Sequence, residues 1–196
     1  MSDRPSHEIS EEERRYSDGR DPALLDVIDV PFKRQQPHHH QTENHVIDDS
    51  YYWEKRGTVS WKTLKSAVET VGGALWLNGF SSKHGENDRV PEVRANALSR
   101  SLYLVHTEEL ILMVASEGGD FGPPRKRIRA RFDLQGHSYC LVVTDPVVER
   151  LYLREPEGDY ESEEAILCIS FADAFHGDCY KLVAAVITKR RVEGRV

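Results

Sequence analysis

The chain has 196 residues, room for one large domain or two small ones. With 39% hydrophobic and 30% charged residues it has the composition of a globular protein with a polar surface, which excludes a fibrous or membrane-embedded chain. A formal net charge of -7 excludes a uniformly basic coat for nucleic acid, so any grip on phosphate must come from a local patch.

Taken in order, "SEEERR" offers Ser10 as a cap followed by acidic and then basic residues, the order a helix dipole favours, and predicts a short surface helix. "LLDVIDVPF", residues 24–32, alternates apolar and acidic residues until Pro31 and predicts a strand. Residues 33–61 form a long polar connection, in which Ser50 and Gly57 could bound a turn of helix. "WKTLKSAVETV", residues 61–71, sets Leu64, Ala67, Val68 and Val71 on one stripe and predicts a helix ended by Gly72 and Gly73.

Beyond residue 73 short apolar runs alternate with turn residues: "ALWLNG", "SLYLVHTEELILMVA", "RIRARFDLQGHSYCLVVTDP", "AILCISFADAF" and "CYKLVAAVITKR". Strands therefore dominate the last two thirds, and the clearest hairpin turns between Asp133 and Gly136. The glycines of "VGGALWLNGF" and "SEGGDFGPP" follow neither phosphate-loop pattern and read as turns, so no cofactor is implied.

Three cysteines, Cys140, Cys168 and Cys179, are too scattered for a disulfide framework, and each lies in or beside an apolar strand as a buried thiol would. The N-terminus has no apolar stretch after its charges, and no run approaches the ~20 apolar residues of a membrane span. A cytoplasmic protein without membrane contact is expected.

Three groups of residues are candidates for chemistry. The first is the basic strand "RKRIRARF": Arg125, Arg127, Arg129 and Arg131 share one face, opposite Ile128, Ala130 and Phe132. Arginines two residues apart repeat at about 6.6 to 7 Å, close to the phosphate spacing of a single nucleic-acid strand. With Lys126 beside them and Trp76 and Tyr139 as rings for bases, they make a nucleic-acid interface; the alternative is a solvated arginine face paired with carboxylates.

The second group is Asn78, Asp88, Arg89, Asp145 and Lys181, polar residues in or beside apolar runs, which could line a pocket for a nucleotide-like ligand. An internal Asp145–Arg89 ion pair or a capping role is the alternative. The third is "PHHHQTENH", with His38, His39, His40, Glu43 and His45. Adjacent histidines on an extended chain point to opposite faces and no metal-binding frame accompanies them, so no metal is assigned, and a metal-dependent hydrolase ranks last.

The succession of "EISEEERRYSDGRDPALLDVIDVPF", "PHHHQTENHVIDDSYYW", "LWLNGFSSKHGENDRVP", the hairpin and "ILCISFADAFHGDCYKLVAAVI" resembles the dual OB-domain family of prokaryotic proteins over nearly the whole chain. The resemblance implies a mainly β fold of two OB-like barrel units with short connecting helices: an incomplete one with a polar linker in residues 1–60, and a second in residues 61–196. It also implies a non-catalytic nucleic-acid- or nucleotide-sensing module of defence systems, and no catalytic residues come with it. Similar proteins carry a segment ahead of "MSDRPSHEIS", so the first barrel would lack strands. Either the true start lies upstream, or a second copy of the chain or a protein partner would cover the open sheet edge, and a small-ligand sensor or a protein-recruiting scaffold is the alternative function.

Overall fold

The computed structural model describes residues 1–5, 7–118 and 123–194. The glycine stretch read as a turn after Glu117 falls mostly on residues 119–122, outside the described residues. The fold is mainly β, as expected, and its largest sheet has eight strands.

That sheet is built from β6 (Leu102–Thr107), β7 (Leu110–Glu117), β8 (Arg125–Leu134), β9 (His137–Val143), β10 (Gly158–Ser162), β11 (Ala165–Phe175) and β12 (Asp178–Thr188), with β5 (Arg89–Pro91) at the side of β12. Its order is β10-β7-β8-β9-β12-β11-β6, antiparallel except where Val142 and Val143 of β9 run parallel to Leu182 and Val183 of β12. Strands β6 and β7 are halves of one run that bends at Glu108 and Glu109, where the Thr107 hydroxyl donates to the Glu109 carbonyl at 2.7 Å. One bent run thus supplies both ends of the path from β7 to β6. This order is consistent with an OB-like unit, although the ladders among the described residues leave the sheet open.

Alternation sets the core. Ile128, Ala130 and Phe132 of β8 face inward against Leu112 and Val114 of β7 and Tyr139, Leu141 and Val143 of β9. Two register shifts in β11, at Cys168/Ile169 and at Phe171/Ala174, let that strand bend around this core. The β8–β9 hairpin is the one the sequence predicts, its turn made by Gln135 and Gly136 at positive φ, 53° and 77°.

The first 60 residues form two ribbons rather than a barrel. β1 (Asp26–Asp29) pairs with β4 (Glu54–Thr58), and β2 (Phe32–Gln35) with β3 (His45–Ile47). The helix expected between Ser50 and Gly57 is therefore strand β4, because its residues find a ladder partner in β1. Ser10 caps no helix either: it exchanges bonds with Glu13 across a turn, at 2.7 and 3.3 Å. The predicted helix of residues 61–71 is shorter, α1 (Trp61–Ser66), capped by Ser60. It ends early because Glu69 leaves the helix to pair with the edge of β6, its N–H donating to Leu104 O at 2.9 Å and its carboxylate accepting from Leu104 N. The remaining helices are α2 (Glu92–Ala95), α3 (Pro146–Tyr152) and α4 (Lys189–Val192). No helix among the described residues is long and apolar enough to cross a membrane.

The histidine-rich turn ties the ribbons to the large sheet. His40 is buried with its ring 4.5 Å from that of Phe171 and its Nε2 3.1 Å from the Phe171 carbonyl, while Glu43 accepts from the backbone and hydroxyl of Ser101 at 2.7 and 2.8 Å.

Candidate functional site

Strand β8 presents its arginines as the period of two requires, but not all of them to solvent. Arg125, Arg127 and Arg131 are exposed, whereas Arg129 is 7% exposed. Its Nε and Nη2 grip the two oxygens of Glu117 at 2.5 and 3.0 Å, and its Nη1 reaches Asp88 at 3.3 Å. Burial works against the charge of this guanidinium, and the bonded Glu117 outweighs it, so the group holds its proton more firmly than in water.

The cover over Arg129 is the segment that precedes β5. Where β9 and β12 diverge, Glu86 pairs with Cys140 through both backbone groups at 3.0 and 3.2 Å, and the Lys181 N–H donates to Asp88 O at 2.8 Å. The segment fills the seam between the strands and lays the Asp88 carboxylate against Arg129. Arg129 is therefore a structural ion pair and cannot meet a phosphate.

The other arginines are held less firmly. Arg127 lies 3.9 Å from Glu117, whose oxygens Arg129 already occupies, and Arg131 pairs with Asp159 at 2.9 Å in an exposed contact. Arg125 has no ion pair among the described residues. Lys126 is bound to the Leu153 carbonyl at 3.1 Å and to that of Glu155.

The two rings assigned to bases belong to the interior. Tyr139 is fully buried and stacked on Phe132 at 5.4 Å, and its hydroxyl accepts from Leu75 N and Asn78 Nδ2, each at 2.9 Å. Trp76 stacks on Phe171 at 4.8 Å and donates from Nε1 to the Arg100 carbonyl at 2.7 Å. Tyr139 therefore offers no face to a base, and half-buried Trp76 has one face taken by Phe171. Tyr139→Phe is expected to lower the unfolding free energy by about 1–2 kcal/mol, because it strands two donors in the core. Urea denaturation reads this directly; an unchanged midpoint would mean the donors find other acceptors.

The five polar residues of the second group do not converge on a pocket. Asn78, Asp88 and Lys181 join one packed network: the Lys181 ammonium donates to Leu77 O at 2.8 Å and Asn78 Oδ1 at 3.1 Å, and lies 5.4 Å from the centre of the Tyr139 ring. Arg89 pairs with Asp178 at 2.8 Å, not with Asp145. Asp145 caps α3 through Val147 N at 2.9 Å, accepts from Val186 N at 3.0 Å and holds Arg191. Burial alone would raise its carboxyl, but Arg191 and the backbone donors hold it below the usual range.

Among the described residues no three His, Cys, Asp or Glu side chains gather as a metal would need. His38 meets Asp173 at 3.3 Å and His45 Nδ1 meets the Glu43 carbonyl at 2.7 Å. Cys140 and Cys179 are buried, Cys168 partly so, and burial pushes all three thiols up, that of Cys179 to about 11, which leaves them poor nucleophiles.

Two clefts lie elsewhere. One of about 590 Å³ sits between the β6–β7 bend and the β8–β9 turn, lined by His106, Glu108, Glu109, Arg131 and Asp133 among others. Another of about 530 Å³ lies in the N-terminal part beside Tyr51, Tyr52 and Arg56. Of the predicted site residues only Arg131 lines either one. The sequence reading passed over Glu117, although a carboxylate ending an apolar strand next to an arginine strand is a signal for such a pair. It also passed over "YYW", two exposed rings read as part of a polar connection.

No curated protein and no solved structure matches the chain. A family model does: residues 1–186 match that of the dual OB-containing domain. With nearly the whole chain matched and the strand order of an OB-like unit in its large sheet, the protein belongs to the dual OB-containing domain family.

Proposed function

We propose that the protein is a non-catalytic binding module whose ligand is a single-stranded nucleic acid or a nucleotide-like anion, met on the outer face of β8. The observation that carries this reading is the exposed row of Arg125, Arg127 and Arg131 on a central strand of an OB-type order. OB folds commonly bind oligonucleotides across this part of the sheet. Exposed ion pairs such as Arg131 with Asp159 contribute only about 0–1 kcal/mol, so a phosphate can replace the carboxylate at little cost.

The reading is tested by titrating single-stranded DNA and RNA at two or more salt concentrations. Replacing Arg125, Arg127 and Arg131 together with Ala is expected to weaken binding and to flatten the plot of log affinity against log salt by about 0.7 for each lost phosphate contact, about 2 in all. Arg129→Ala is no substitute in this test, because it opens a buried ion pair. An unchanged slope in the triple variant would remove β8 from the interface.

A further inference from the structure

The second cleft carries chemistry that the β8 face lacks. Tyr51 and Tyr52 are 64% and 61% exposed, held out on the turn where Tyr51 N donates to Asp48 O at 3.3 Å. Across about 530 Å³, within the range of small-ligand sites, they look onto the open end of the β1–β4 ladder. There Asp29 and Glu54 are direct cross-strand partners, a pairing of like charges that weakens a ladder. Arg56 offsets the repulsion, its Nε 2.6 Å from Asp29 Oδ2 and its Nη2 2.7 Å from Glu54 Oε2. One oxygen of each carboxylate is thereby used. Among the described residues no donor takes Asp29 Oδ1 or Glu54 Oε1, which stand at the edge of a cleft that Tyr51 and Tyr52 also line.

We infer that this cleft is a nucleobase site, in which Tyr51 and Tyr52 stack on the ring and the free oxygens of Asp29 and Glu54 accept from N–H groups on its edge. Guanine matches best, since its N1–H and N2 amino group present adjacent donors, where uracil offers one N–H flanked by carbonyls. A proline-rich peptide would also lie on tyrosines, but it brings carbonyls and few N–H groups to a pair of carboxylates. The two carboxylates exceed the one guanidinium, so the cleft holds the base and leaves any phosphate outside. This site extends the nucleotide-binding reading to a second place and does not depend on the arginines of β8.

The test is calorimetric titration of the full chain with the 5′-monophosphates of guanosine, cytidine, adenosine and uridine, whose shared phosphate cancels in the comparison. Guanosine monophosphate is expected to bind tightest and uridine monophosphate weakest. Stacking on one tyrosine is worth roughly 5- to 150-fold in affinity, so Tyr51→Ala and Tyr52→Ala together should abolish measurable binding. Asp29→Asn, an exposed change that keeps the shape, should reduce the preference for guanine. The triple Ala variant of Arg125, Arg127 and Arg131 should bind guanosine monophosphate as the parent does. The inference is overturned if none of the four nucleotides binds, if affinity survives loss of both tyrosines, or if a proline-rich peptide binds the cleft in their place. Failure here with an intact salt effect at β8 would leave the nucleic-acid reading standing, and the reverse result would remove only that reading.

Discussion

Gly85→Ala is expected to lower the unfolding free energy by about 3 kcal/mol, since Gly85 is the one glycine among those described whose Cβ would come within 3 Å of another atom. A Cβ built on Gly85 would lie 1.9 Å from Oδ2, 2.1 Å from Cγ and 2.8 Å from Oδ1 of Asp88. Some clashes are relieved when a flexible side chain swings away. Asp88 has no such freedom: it is 1% exposed, its Oδ1 accepts from Ser82 N at 2.7 Å, and its Oδ2 accepts from Ser82 Oγ at 2.6 Å and faces Arg129. Moving the carboxylate strands these partners, and overpacking of about 1–3 kcal/mol adds to the loss of part of a buried ion pair, a loss of about 3–5 kcal/mol when complete. Glu117 still holds Arg129, which keeps the sum near the lower end. Gly136→Ala is the control, since its Cβ meets nothing within 4 Å and only the positive φ costs anything, about 1–2 kcal/mol. Urea denaturation of the two variants separates the effects. A Gly85→Ala protein within 1 kcal/mol of the parent would show that the cover over Arg129 yields easily.

Lys181 sets a pH dependence that its replacement should erase. The ammonium is fully buried, and desolvation brings its pKa from 10.5 down to about 7, with Asp88 opposing the shift. In the unfolded chain the same group titrates near 10.4. Between about pH 7 and 10 this group therefore holds its proton more often in the unfolded state than in the folded one, and its own contribution to stability rises with pH. Each unit of difference is worth about 1.36 kcal/mol, so the rise from pH 7 to 8.5 is on the order of 1–2 kcal/mol. The buried thiols act oppositely, but only as pH approaches the range in which unfolded cysteines ionise, near 8.5. Lys181→Met keeps the length and most of the volume while removing the charge. Against the parent, its unfolding free energy should lack the Lys181 contribution, so the difference between the two proteins should change by about 1–2 kcal/mol from pH 7 to 8.5 whatever the thiols and the Met1 amine add to both, although Leu77 O and Asn78 Oδ1 lose a donor and its absolute stability reflects that as well. A variant that keeps the parent's slope would assign the slope to another group.

Periodicity made the strands legible. The alternation of "RIRARF" placed Ile128, Ala130 and Phe132 in the core correctly, because half-buried strands enforce a period of two whatever their neighbours are. The turn at Gln135 and Gly136 was legible for a similar reason, since its backbone demand is local. The helix of residues 61–71 was only half legible: of its stripe only Leu64 lies within α1, which buries no residue, and the chain leaves the helix where Glu69 pairs with β6.

The site was legible as chemistry and not as geometry. The sequence by itself determined which face of β8 carries arginines, that the fold is mainly β, and that Asn78, Asp88, Asp145 and Lys181 need partners if buried, because alternation and desolvation act on each residue through its immediate chain. Only the tertiary structure decided that Asp88 crosses a seam between β9 and β12 to close over Arg129, that Asp145 takes Arg191 and Arg89 takes Asp178, and that Tyr51 and Tyr52 look onto Asp29 and Glu54. The three ion pairs join residues 41 to 89 positions apart. Their choice rests on which strand edge is left unpaired once the sheet has formed, a property of the assembled ladder that no window of sequence contains.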